Sequence, residues 1–138
     1  MHLKNIAALL LVSALIFSLP ACSFIGGNIG IVDAKIVTAV DERLMPVKVT
    51  DVFPKGTATV SCWIRWKNAS INTEIVARWH YVTDDIHILD YTLVIPKREG
   101  TGSVMLTMPN GKELPSGDYK LELFSGKRLL RSLTFKVE

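Results

Sequence analysis

Cysteine and histidine are scarce in this chain, with two of the first and three of the second among 138 residues. Two cysteines cannot build the multi-bridge framework that staples small secreted domains together. The three histidines, His2, His80 and His87, fit none of the spaced His and Cys patterns that hold zinc. A large excess of one charge is missing too. Lys and Arg number 16 against 13 Asp and Glu, a formal net charge of +3. That balance argues against a nucleic-acid partner, which needs a clustered basic face. The chain has no Gly-x-Ser-x-Gly elbow, phosphate loop, His-Glu-x-x-His or Cys-x-x-Cys. It is therefore not expected to be an enzyme. Internal repeats are absent, and the nearest approach to low complexity is the glycine stretch at Gly26, Gly27 and Gly30.

What is present begins with one apolar run, from Ile6 to Phe17, behind a single base at Lys4. A membrane-crossing helix takes roughly 20 predominantly apolar residues, and Pro20 and Cys22 interrupt this run before it is comfortably that long. A basic start, an apolar middle and a small residue before the cut make a secretory signal. Residues 1–21 hold one base and no acid, so the remainder carries 15 bases against 13 acids.

The next residues are Leu19-Pro20-Ala21-Cys22. They resemble the lipobox of bacterial lipoproteins, in which an aliphatic residue, a tolerated position and a small residue precede a modified cysteine. The resemblance implies cleavage after Ala21 and a covalent lipid on Cys22, with no other cofactor. Ser23 behind it implies export to the outer membrane, on the periplasmic side. The alternatives are an uncleaved anchor and an ordinary signal with an incidental cysteine. The expected organisation is a signal at 1–21, a lipidated tether at 22–28, and a folded domain at 29–138.

Beyond the tether the chain alternates with period two, the signature of strands. Ala58, Val60, Cys62, Ile64 and Trp66 oppose Thr57, Thr59, Ser61 and Arg65. Ile75, Ala77, Trp79 and Tyr81 oppose Glu74, Arg78 and His80, while Tyr119, Leu121 and Leu123 oppose Lys120 and Glu122. Leu133, Phe135 and Val137 alternate with Thr134, Lys136 and Glu138. Turn residues punctuate these runs at Lys55-Gly56, Asp84-Asp85, Glu99-Gly100, Pro109-Asn110-Gly111 and Ser125-Gly126. The last predicts a tight hairpin between the final two strands. About seven or eight short strands so spaced predict an all-β antiparallel sandwich, with a closed barrel as the alternative.

Cys62 inward on one strand, Trp79 inward on the next strong one, and Tyr119 opening a late strand resemble an immunoglobulin-like or fibronectin-III-like sandwich. Leu121 stands where that pattern has its second cysteine, so an apolar contact with Cys62 is implied in place of a disulfide. Small bacterial envelope lipoproteins are similar in flavour around Trp66-Lys-Asn-Ala69 and Pro115-x-Gly-x-Tyr119, and carry no activity across.

Four sets of side chains stand out as candidates. Cys62 is either a reactive thiol or a small core hydrophobe. Trp63, Arg78 and His80 on outward positions make a candidate partner-binding face, the alternative being that Trp63 is a sheet-edge residue partly covered by the N-terminal segment. His80, Asp84, Asp85 and His87, with Asp90, are weak candidates for a divalent cation. Lys97-Arg98 and Lys127-Arg128 with Arg131 form basic turns that could meet anionic lipid headgroups or cell-wall polymers, or simply be solvated. The expected function is a membrane-anchored, non-catalytic interaction module that contacts another envelope protein or a cell-wall component. The alternative is a small-ligand or metal-binding lipoprotein using the region from His80 to Asp90.

Overall fold

The period-two segments become strands, and their apolar halves meet in one core. The structure, a computed structural model, describes residues 28–138. The expected export signal, Cys22 and all but the last residue of the expected tether lie outside the described residues. The strands are β1 (Gly30–Val37), β2 (Val52–Phe53), β3 (Thr59–Lys67), β4 (Glu74–Tyr81), β5 (Ile86–Val94), β6 (Gly100–Thr107), β7 (Gly117–Ser125) and β8 (Arg128–Val137). A single 3-10 turn, Pro109–Gly111, lies between β6 and β7.

They form two sheets, β1-β3-β6 and β2-β8-β7-β4-β5. Two separate sheets with open edges make a sandwich and not the alternative barrel. Every pairing is antiparallel except that of β2 with β8, which is parallel. Most inward residues read from the alternation, among them Val60, Cys62, Ile64, Trp79, Leu121 and Leu123, are fully buried, while Ala58, Tyr81 and Leu133 are half-buried at its margins. Cys62 and Leu121, from opposite sheets, belong to the same core. The Tyr119 hydroxyl donates to Pro115 O at 2.5 Å, while its ring stacks on Phe135 with centroids 4.9 Å apart. That is the tyrosine corner of this architecture.

Local chemistry sets two of the junctions. Ser125 and Arg128 pair across the two-residue turn Gly126-Lys127, and Gly126 has a φ of 59°, the backbone a tight hairpin needs at its first central position. In β6, Gly102 lies beneath the Trp66 indole, and a Cβ there would come within 3.2 Å of the ring. The indole is held in place by Nε1, which donates to Lys97 O at 3.0 Å.

The chain between β1 and β2 makes an excursion. Asp41 caps its tip by accepting from the Arg43 and Met45 backbone amides, and Thr38 N to Lys48 O and Val47 N to Ala39 O close its stem. The chain then changes sheets and adds β2 beside β8. Two long side chains fasten the other end of β1. Arg128 donates to Ile29 O at 2.8 Å and Arg131 to Ile31 O at 2.9 Å.

The register gives the sandwich two distinct ends. Gly30 pairs with Lys67, Trp66 with Gly100, Glu74 with Val94 and Ser125 with Arg128. The entry to β1 and the β3–β4, β5–β6 and β7–β8 turns therefore share one end, called here the near end. Glu138 and the remaining connections lie at the far end, where Gly117 pairs with Val137.

Candidate functional site

The predicted partner face divides. Trp63 belongs to β3 in the three-stranded sheet, and Arg78 and His80 belong to β4 in the five-stranded sheet. Their outward positions lie on opposite sides of the molecule. Trp63 is also not exposed: only 4% of it is accessible. The β1–β2 excursion covers it, its Nε1 donates to Leu44 O at 2.6 Å, and Lys35 Nζ sits 5.8 Å from its ring centroid. The expectation of a surface Trp beside Arg78 is corrected on both counts. Alternation assigns an outward side chain, but it cannot see a loop folding back over that side. The signal was there in Leu44, Met45, Val47 and Val49, an apolar-rich stretch outside the strong alternating runs.

Arg78 and His80 remain on the surface of β4, and their carboxylate partners come from β5 and its turn. Arg78 Nε donates to Asp90 Oδ1 at 3.2 Å, and its guanidinium lies 4.9 Å from the Phe124 ring centroid. An ionised carboxylate only accepts, so each histidine donates from Nε2. His87 donates to the same Asp90 oxygen at 2.8 Å, and His80 donates to Asp85 Oδ1 at 2.9 Å. The hydrogen bond from His87, followed by that from Arg78, holds the Asp90 carboxyl below the usual carboxylate range. His80 and His87 are cross-strand partners, beside a bulge in the β4–β5 register.

Each histidine is thus occupied by a separate carboxylate, and Asp84 sits exposed in the turn outside both pairs. Among the described residues, no three His, Cys, Asp or Glu side chains converge on a point that could hold a metal ion. The weak candidates His80, Asp84, Asp85 and His87 are neighbours without being a cluster.

Cys62 is fully buried and unpaired in a disulfide. Burial pushes its thiol up to about 12, against smaller opposing effects of a hydrogen bond from the Lys35 backbone and the charge of Arg131. A thiol so placed is a core hydrophobe and not a nucleophile.

Two features escaped the alternation. The first is the free edge of β5, which closes the five-stranded sheet with β4 on one side and no strand on the other among the described residues. Tyr91 pairs with Ala77 and so faces the core side of the sheet, yet it is 47% exposed, because β5 overhangs the smaller sheet. Ile86 and Val94 are exposed on the same strand. The second is an apolar pocket of about 300 Å³ lined by Tyr81, Ile86, His87, Met108, Leu114 and Tyr119. Its residues come from four separate segments, so no local pattern could reveal it.

A search of solved structures places the architecture. The chain is similar to an immunoglobulin-like protein from Pseudomonas aeruginosa, at 13% identity and a TM-score of 0.58, over 83% of this chain and 99% of that one. The domain has an immunoglobulin-like fold. No protein-family description and no curated protein sequence matches the chain. The sheet order, the buried Trp79 and the tyrosine corner fit that fold, and Leu121 stands where its disulfide-bonded versions have a second cysteine.

Proposed function

We propose that this chain is a lipid-anchored module of the bacterial envelope that binds another envelope component along the free edge of β5, without catalysis. The open β5 edge is the observation that carries this reading. It offers unpaired backbone donors and acceptors, with Arg78 and His87 on one side and Tyr91 on the other. An exposed strand edge accepts an extended segment of a partner, and flanking side chains then give specificity. Tyr and Arg are the residue types most often found at the energetic centre of such contacts. The lipobox at Leu19 to Cys22 supplies the anchor, with the outer membrane facing the periplasm as its address.

Photo-crosslinking residues placed in cells at Tyr91 and at Lys35, on opposite sheets, test the edge. The expected result is a protein or glycan adduct from position 91 that position 35 does not give. Identical adducts from both positions reject the edge. Lipidation is tested separately: Cys22→Ala should lose fatty-acid labelling, and retained labelling removes the anchor.

A second reading uses the apolar pocket beside His87 for a small ligand, and its lining favours an apolar one. A ligand that binds only the native state raises the melting temperature. A panel of small apolar molecules should then raise it in wild type and not in a Met108→Trp variant that fills the pocket.

A further inference from the structure

We infer that the near end of the sandwich is a second membrane-contact surface, which docks on the anionic headgroups of the leaflet that holds the lipid. This rests on the anchored reading above and adds an orientation to it.

Three observations converge. The first is reach. Six residues, Ser23 to Asn28, separate the lipid-bearing cysteine from Ile29. However they are arranged, they span no more than about 25 Å. Ile29 is fixed to the domain by the bond from Arg128, so the near end cannot leave the bilayer by more than that distance. The second is charge. The near end carries Lys67, Lys97, Arg98, Lys127 and Arg128 against Glu74 and Glu99, and all seven side chains are exposed. In the far-end connections acids outnumber bases, with Asp41, Glu42, Asp51, Asp84 and Asp85 among them. The near-neutral total therefore hides a molecule that is positive at the tethered end and negative at the other. The third is Ile71, at the tip of the β3–β4 turn on the near end, which is 78% exposed. An exposed apolar tip on an end that carries five bases suits the headgroup boundary, where its side chain can leave water while the cations stay among the phosphates.

The field of an anionic surface decays over a Debye length of about 8 Å at physiological salt. The near-end turns can reach that layer on so short a leash, and the charge division favours the orientation that turns the acidic far end away from it. Basic residues at such a surface each strengthen association about fivefold.

The test uses the lipidated full chain carrying Ile71→Cys, labelled with an environment-sensitive thiol fluorophore. Cys62 is buried and stays unlabelled, and the lipid blocks Cys22. The protein is reconstituted in phosphatidylcholine vesicles, with or without phosphatidylglycerol, that carry a headgroup quencher. Quenching should be stronger in the anionic vesicles, should fall with added salt, and should drop at least about tenfold in association strength in an Arg98→Glu/Lys127→Glu variant. A label at Asp84→Cys on the far end should stay unquenched throughout. Equal quenching at position 71 in neutral and anionic vesicles, or an unchanged variant, overturns the docking. Mass spectrometry of the same preparation separates the two readings. A protein without acyl mass overturns the anchor and the tether argument together, whereas an acylated protein with an unquenched label overturns the docking alone. Circular dichroism on the variant keeps loss of fold from being mistaken for loss of contact.

Discussion

Single side chains in this domain are constrained most where they touch Trp66. Its indole is buried, tied to Lys97 O and pressed on Gly102, so it has no room to yield. Adding one methyl in Gly102→Ala should cost about 1–3 kcal/mol through overpacking, measured by urea denaturation. Tyr119 and Cys62 supply a pH dependence of known sign. Burial, and secondarily the neighbouring Tyr81, pushes the Tyr119 phenol up to about 12, from an ordinary value of 10.0. Cys62 rises likewise, from 9.0. Both groups hold their protons longer folded than unfolded, so their stabilisation is complete below pH about 9 and drains away as pH rises toward 12. The melting temperature should fall across that window, and Cys62→Ala should flatten its lower part. The sequence showed that Cys62, Trp79 and Tyr119 face inward, because alternation reports which side of a strand a residue occupies. It misjudged Trp63 for the same reason: the side was right, but a loop fourteen residues long covers it.

Among the elements, β1 is held by fewer backbone neighbours than any strand of its sheet's centre, and the two arginines of β8 compensate. A charged donor to a backbone carbonyl contributes about 1.5–3 kcal/mol. Arg131→Ala should therefore destabilise by roughly 1–3 kcal/mol and raise hydrogen exchange in β1 before it does so in β7. The basic residues of the final hairpin were legible in the sequence as a cluster, but their division of labour was not. Arg128 and Arg131 serve the fold, and Lys127 is free for the surface. The strong runs β3, β4, β7 and β8 were readable because each buries one face against a whole sheet. β2 is two residues long, too short for any period to register, and its parallel partner is more than eighty positions away. β5 alternates poorly because the bulge between His87 and Leu89 resets its period, and because it ends the sheet with Tyr91 half exposed. That same departure from pattern marks it as the proposed binding edge.

At the scale of the whole molecule, fold class was available from turn spacing, and the order of Cys62, Trp79 and Tyr119 narrowed it. The segregation of charge was not, since it appears only once the register assigns each turn to an end. A charge-reversed near end, as in Arg98→Glu/Lys127→Glu, should leave the unfolding free energy measured by urea denaturation within about 0.5 kcal/mol of wild type, as expected for exposed turns away from the core. The placement of Ile29 and Glu138 at opposite ends has a mechanical meaning. Suppose the anchor holds one end while a partner or the cell wall drags on the other. Tension then runs along β1 and β8, parallel to their axes and across their hydrogen bonds. The β1–β3 ladder, seven residue pairs long, must be sheared all at once and cannot be peeled bond by bond. Forced unfolding is governed by that barrier, not by equilibrium stability. The fold is thus oriented like a link in a chain, gripping hardest along the line on which the cell envelope would pull.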